Sequence, residues 1–493
     1  MVKKRLVSLL LSLAILIGGV GIIADASERN PVQPPYPIVI VRGMEFHGLW
    51  VNLGTDEQEN CMAGVTVGGV LKTLTKACCG ICKYGGFYPS LMHNAVDYCD
   101  SIMEKMYCDN DGNSVYDVAV PEYPLAVSNY PELIELCYER NYHERGILLS
   151  CVNTFGAENC YYFQYDWRLD HRDTADKLNE LVERAKSDHD TDKVIMLNCS
   201  MGGVVTDAYI DEYGCGSLSK VLFLSSTFCG TDVATDLFTG RAAITSGMLY
   251  NYVIKLTGSA FLAKALKYTG VIRLVENFAS GLLKEENLSI LYDYFRRSFA
   301  NMPAFWMNVQ PEKYPEAVDY MFPTEELKAE HAGLTEKTDS LIGIMSRSKE
   351  FIPALTGNGV TVCVVAGYNI ANVPLYESGI LQGDGVLDSR WMLGGATVSA
   401  VGSSLGPDYT AGDPDKLSPD GCVDLSDVLF PEYTWAVRNG SHVDFVDGSD
   451  SGDFLCRLIA FDGQPTVDSF AEYPQFMIMT DNYNYRLFLK ETL

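Results

Sequence analysis

An α/β fold with a mostly parallel central sheet is what this 493-residue sequence predicts, and three observations predict it. Short apolar, β-branched runs alternate with stretches of helical spacing, the pattern of strands buried under helices on both faces. One run, Lys193-Val-Ile-Met-Leu-Asn-Cys-Ser200-Met-Gly-Gly-Val-Val205, passes from a buried strand through a tight turn into a helix. A composition that is 47% hydrophobic is ample for one large core with insertions.

The chain opens Met1-Val-Lys3-Lys4-Arg5, runs apolar from Leu6 to Ile23 and reaches Ala24-Asp25-Ala26 before Ser27. A basic head, an apolar middle and a small-residue cleavage site describe a secretory signal peptide over residues 1–26. The protein is therefore expected to be secreted or to face the extracellular side of a membrane. An uncleaved N-terminal anchor is the second reading, given the length of the apolar run. A formal charge of −27 repels phosphate backbones and speaks against nucleic acid as a partner.

Residues 27–232 read as the first part of the core. Pro31 to Pro37 is an extended linker, and Ile38-Val-Ile-Val-Arg42 is the first core strand, ending at Gly43-Met44-Glu45-Phe46-His47-Gly48. Residues 52–130 are rich in Gly, Cys and Tyr with weak periodicity, apart from helical spacing around Asn94 to Met106, which predicts a lid or loop-rich excursion. Fifteen cysteines cannot all pair within the chain, and Cys199 is the expected unpaired thiol. Cys61, Cys78, Cys79, Cys82, Cys99 and Cys108 cluster in a loop that is disulfide-tied or reduced, its pairing open. Cys79-Gly-Ile-Cys82 lacks a second half at zinc spacing, so no metal is assigned there. A helix is predicted from Pro131 to His143. Tyr161-Tyr-Phe-Gln-Tyr-Asp-Trp-Arg168 reads as a strand ending in a charged turn, and Asp173 as the cap of the next helix, with Leu178, Leu181, Val182 and Ala185 on one face. Lys220-Val-Leu-Phe-Leu-Ser-Ser226 is the strand after the central one.

The run around Ser200 carries the chemistry. Strand, turn with Ser, helix from Val204 to Tyr213 closed by Gly214: this is the nucleophile elbow of the α/β-hydrolase fold. A serine hydroxyl attacks only when it is held clear of the backbone beside a base. Asn198 stands where the usual pattern has its first Gly. The turn after the first strand then supplies one oxyanion N–H, from Met44, and the residue after the nucleophile, Met201, the other.

After residue 232 the alternation stops. Residues 233–359 are helical and aromatic and predict an inserted helical cap; Val360-Thr-Val-Cys-Val-Val-Ala-Gly367 resumes the sheet in a second part of the core, 360–493. Residues 241–360 carry 13 basic and 13 acidic residues, and Leu237 to Val275 holds Arg241, Lys255, Lys264, Lys267 and Arg273 with no acid. Either these helices pack on the core with solvated lysines, or they touch a membrane surface peripherally.

Ser, then acid, then His is the chain order of this fold's triad. Of the seven histidines (47, 93, 143, 171, 189, 331, 442) only His442 follows the resumed sheet, in Asn439-Gly-Ser-His442 after the strand-like Tyr433-Thr-Trp-Ala-Val-Arg438. His47 is read as a polar residue orienting its turn. Asp384, between Gly383 and Gly385, is the expected acid, with Asp388 and Asp444 as rivals. Residues 413–427 echo a calcium loop, but Lys416 occupies the first ligand position, so a solvated acidic turn is expected. No cofactor is assigned.

Asn198-Cys-Ser200-Met-Gly-Gly203, Tyr165-Asp-Trp-Arg168, Gly383-Asp384-Gly385-Val386, the late His442 and the turn Arg42-Gly-Met44-Glu-Phe-His-Gly-Leu-Trp50 together resemble the lecithin:cholesterol acyltransferase family. The likeness touches four or five motifs between residues 36 and 445; residues 52–130 match none of them. It implies acyl-ester chemistry on lipids through an acyl-enzyme on Ser200, with water or a lipid alcohol as acceptor. A soluble short-chain esterase or peptidase of the same fold, or a non-catalytic surface binding protein, are the alternatives. Acyl length, head group and oligomeric state are not legible.

Overall fold

The computed structural model describes residues 32–62, 67–137, 145–442, 449–481 and 486–489. The stretch read as an export signal, His143 and Asp444 lie outside them, as does the His47 side chain. Eight strands form the central sheet: β1 Ile38–Val41, β2 Cys160–Phe163, β3 Val194–Cys199, β4 Leu218–Leu224, β5 Thr361–Tyr368, β6 Thr434–Arg438, β7 Phe476–Asp481 and β8 Arg486–Leu489. Their order is β8-β7-β6-β5-β4-β3-β1-β2, parallel throughout except for the edge pair β7–β8. This is the predicted α/β-hydrolase fold.

Period-two alternation decides which helices cover which face. Val39, Val41, Met196, Val221, Phe223 and Val364 face one core, under α4 (His171–Asp188), α5 (Gly202–Tyr213) and α11 (Ala332–Ala354). Ile38, Ile40, Ile195, Leu197, Leu222 and Val365 face the other, under α3 (Arg145–Phe155) and α12 (Ser449–Ala460). Every one of these strand residues is buried, as a sheet covered on both sides requires. Lys220 enters this apolar layer because its ammonium caps α12, reaching the carbonyls of Leu458, Ile459 and Phe461 at 2.5, 3.1 and 3.0 Å. Burial depresses its pKa, and the three carbonyls hold the charge at the negative end of the helix.

Two expectations change. Asp170, not Asp173, caps α4, accepting the Arg172 N–H at 2.9 Å, because the helix starts one turn earlier than its apolar stripe does. Residues 52–130 are not chiefly loop: α1 (Val67–Cys79) and α2 (Phe87–Met103) pack as a helical pair. Glycines and cysteines in that stretch weakened the helical periodicity. Cys78, Cys79, Cys82 and Cys99 ride on these helices and the turn between them, and no disulfide links them.

The inserted segment is helical as predicted, but it is two things. Its first helices, α6 (Asp232–Phe238), α7 (Ser246–Thr257), α8 (Ala260–Tyr268), α9 (Val271–Leu282) and α10 (Glu285–Phe295), lie off the sheet; α9 and α10 rest on α2. Ala234, Phe238, Tyr292, Trp306 and Met321 give this cap a core of its own. The last helix, α11, returns to the sheet and packs on α5 through Leu341, Ile344 and Met345. Among the described residues no helix is long and apolar enough to cross a membrane.

His171, the first residue of α4, is fully buried beside the Tyr165 ring (5.7 Å between centroids). Burial drives its pKa down to about 4, against the opposing charges of Asp170 and Asp166. The native state therefore needs a neutral imidazole, while the unfolded chain protonates near pH 6.5. Stability from this residue is complete above pH 6.5 and drains as pH falls towards 4, by roughly 2–3 kcal/mol between pH 7.5 and 4.5. Urea unfolding of wild type and His171→Phe at those two pH values checks this: the variant's loss on acidification should be smaller by that amount.

Candidate active site

Ser200 follows β3 with φ of 51°, a left-handed backbone that non-glycine residues rarely adopt and that costs on the order of 1–3 kcal/mol. The turn is held from several sides. Ser200 N–H donates to the Leu224 carbonyl (3.3 Å), and the Ser200 carbonyl accepts from the N–H groups of Gly203 (3.1 Å) and Thr227 (2.9 Å). The hydroxyls of Ser226 and Thr227 donate to the same carbonyl, each at 3.2 Å. Gly43 lets the neighbouring turn close on the nucleophile, since a Cβ there would lie 2.7 Å from Ser200 Cβ. Asn198 is fully buried, and its Oδ1 accepts the Ser226 hydroxyl at 2.8 Å. The side chain at the pattern's missing Gly is thus accommodated by a partner from the loop after β4.

His442 and Asp384 arrive in the loops after β6 and β5, respectively. His442 Nε2 is 3.0 Å from Ser200 Oγ, and His442 Nδ1 is 2.7 Å from Asp384 Oδ2. Asp384 Oδ1 is occupied by the N–H groups of Val386 (3.0 Å) and Leu387 (2.9 Å), which leaves Oδ2 aimed at the imidazole. The His442 N–H also donates to the Asp384 carbonyl at 3.0 Å, so the loops are joined by backbone as well. Gly367 at the end of β5 makes room: a Cβ there would collide with the Gly440 carbonyl at 1.9 Å. Asp384 is buried and the His442 side chain nearly so.

Asp388, the rival acid, points elsewhere. Its carboxylate caps a short helix at Trp391 N (3.3 Å) and accepts the Asp232 N–H (2.7 Å) at the start of α6. Burial and the charge of Asp232 raise its pKa. Other histidines have structural posts: His331 stacks on Phe322 at 4.4 Å, and His93 on Tyr84 at 4.4 Å. In 413–427, Asp424 accepts from Tyr409 and Ser426, and Lys416 pairs with Glu432, so these side chains are engaged with one another. No group of three or more potential metal ligands occurs among the described residues.

Two aromatic residues whose role the sequence did not reveal secure the turn that carries Met44. Tyr165 hydroxyl donates to the Arg42 carbonyl at 3.0 Å, and Trp167 Nε1 to the Glu45 carbonyl at 2.9 Å. These two carbonyls bracket Gly43 and Met44. Arg168 anchors the far side, forking onto Asp166 (2.9 and 2.6 Å) and donating to the Met106 carbonyl and the Ser114 hydroxyl. A buried Tyr or Trp ends in a polar atom that must be paired, and that was the available signal.

Met44, Ser200 and Met201 form one wall of a cavity of about 440 Å³. The cap closes it with Leu237, Phe238, Phe295 and Phe299, and the acid loop adds Val386 and Leu387. Chemically, this arrangement lets His442 take the Ser200 proton as the oxygen attacks an acyl carbon, with Asp384 fixing the tautomer.

No protein-family model matches the chain, and no curated protein matches it. Among solved structures, the crystal structure of the Tle4–Tli4 complex aligns over 68% of this chain and 75% of that chain, at 10% identity and a TM-score of 0.30. A likeness that low carries no inference about activity.

If the Trp167 bond positions the oxyanion turn, Trp167→Phe should lower kcat on an activated nitrophenyl ester about tenfold while KM stays within about twofold. Steady-state kinetics check this; an unchanged kcat would remove Trp167 from the site's support.

Proposed function

We propose that this chain is a secreted serine acyl-ester hydrolase acting on lipids, of the chemistry that its resemblance to the lecithin:cholesterol acyltransferase family implies. The observation that carries this is the cavity: the nucleophile opens into a space walled almost wholly by apolar side chains from the cap and the acid loop. Such a wall rewards an alkyl chain and offers a short polar acyl group little.

In this reading Ser200 Oγ attacks the ester carbonyl as His442 Nε2 accepts its proton. The N–H groups of Met44 and Met201 receive the developing oxyanion. His442 then protonates the leaving alcohol, and an acyl group remains on Ser200. Water, activated by the same imidazole, releases the fatty acid; a lipid alcohol entering instead would give acyl transfer. The choice depends on how much water reaches the closed site.

A series of nitrophenyl esters from acetyl to palmitoyl tests the substrate class. The account expects kcat/KM to rise at least about tenfold between acetyl and octanoyl, since each buried methylene is worth ~0.8 kcal/mol. Ser200→Ala should lose at least about a thousandfold. A maximum at acetyl would instead favour a short-chain esterase. Fatty acid release from phospholipid, run with and without an added long-chain alcohol, separates hydrolysis from transfer.

A further inference from the structure

The outer cap helices carry a surface that the proposed chemistry does not use. Phe261 and Tyr268 on α8 are 84% and 89% exposed, and Leu274 on α9 is 62% exposed. Leu262 and Val271 on the same two helices are exposed as well. α8 packs on α7 and α9, with Ala263 its one fully buried residue. Interleaved with these apolar side chains are Lys264, Lys267 and Arg273, all exposed. Lys267 sits over the Tyr250 ring, 5.3 Å from its centre. Among the described residues no carboxylate forms an ion pair with any of the three at 4.0 Å or less. Glu276, the nearest acid along α9, is occupied by the N–H and hydroxyl of Ser246 at the start of α7, and of the three basic residues only Arg273 lies close enough to act on its charge.

We propose that α8 and α9 form a docking surface for an anionic lipid bilayer. The choice of occupant rests on charge. The chain as a whole is −27, so an anionic surface repels it except where basic groups are locally in excess. Ionic screening confines that repulsion to roughly 8 Å at physiological salt, so the touching face decides the sign. An amphipathic helix with large apolar residues and flanking lysines lies in the plane of a headgroup layer, its apolar side chains reaching the acyl boundary. A second copy of the chain is disfavoured on the same face, because a two-fold contact would gather Lys264, Lys267 and Arg273 of both copies into one interface, with no acid between Leu237 and Val275 to pair them. The surface is one helix from the triad: Lys255 of α7 donates to the Gly385 carbonyl, next to Asp384, at 2.7 Å. The purpose of docking rests on the lipid-ester reading above, but the docking itself does not.

The Ser200→Ala chain allows binding to be measured without consuming the bilayer. Cosedimentation with phosphatidylcholine vesicles, with and without about 30 mol% phosphatidylserine, gives the two partition coefficients. The anionic vesicles should bind at least about tenfold more tightly. Adding Lys264→Glu, Lys267→Glu and Arg273→Glu should erase that preference; adding Phe261→Ser, Tyr268→Ser and Leu274→Ser should weaken binding to both vesicles about tenfold. A folded Ser200→Ala chain that stays in the supernatant with anionic vesicles, or variants that bind as it does, would overturn the proposal. So would concentration-dependent self-association that the three serine substitutions abolish, which would mean that another copy covers the face. Placed in the wild-type background, both sets of substitutions should leave hydrolysis of a soluble ester unchanged. Docking by Ser200→Ala beside a wild type that hydrolyses nothing would sink the enzymatic reading and leave this one standing.

Discussion

Everything near the site depends on Ser200 being held at a positive φ at the carboxyl end of β3. That conformation is unfavourable by itself, and the sheet imposes it. The Ser200 carbonyl is bound by the loop after β4, its N–H by the end of β4, and its Cβ is pressed by the turn after β1 at Gly43. Three strand ends therefore meet at one residue. The loops after β5 and β6 bring Asp384 and His442 to the same edge, in contact because residue 367 has no side chain to part them. A strained turn of this kind persists only where its surroundings over-determine it, and here every neighbouring strand contributes.

The central sheet was legible because its strands are continuous apolar runs, and a parallel sheet covered on both faces demands such runs. The three residues now within hydrogen-bonding distance were legible for a different reason. Chain order left one histidine after the resumed sheet, and glycines marked the acid loop. Partnerships across the fold were not legible. Asn198 reads as an irregularity until Ser226 is seen beside it, 28 residues away in sequence. Trp167 and Tyr165 read as strand-end aromatics until their donors are seen on the carbonyls that flank Met44. Local pattern cannot encode a contact whose other half lies more than a hundred residues distant. Of the α1–α2 pair only the second half of α2 showed helical spacing; α1 was missed, since glycine and cysteine blur the helical period without preventing a helix that packs well.

The cap is tied to the loop that carries Asp384 and Asp388 by polar contacts at its base and carries its own apolar core above. Asp232 at the start of α6 accepts from Arg390 (2.6 Å) and Trp391 (2.8 Å), while Asp388 holds the Asp232 N–H. Lys255, its pKa lowered by burial, spans from α7 to the acid loop. The cap and the loop that carries Asp384 are thus joined by hydrogen bonds, and the cavity wall is shared between the two. The charge pattern follows the same division, with an acidic body and one stretch of cap that has only basic residues.

The central claim is that Ser200 is an activated nucleophile. Intact-mass analysis of the purified protein after exposure to a fluorophosphonate, followed by peptide mapping, tests it most directly. The account predicts a single adduct on the peptide carrying Ser200, absent from His442→Ala. A folded wild type that takes up no reagent, or takes it up on another residue, would contradict it.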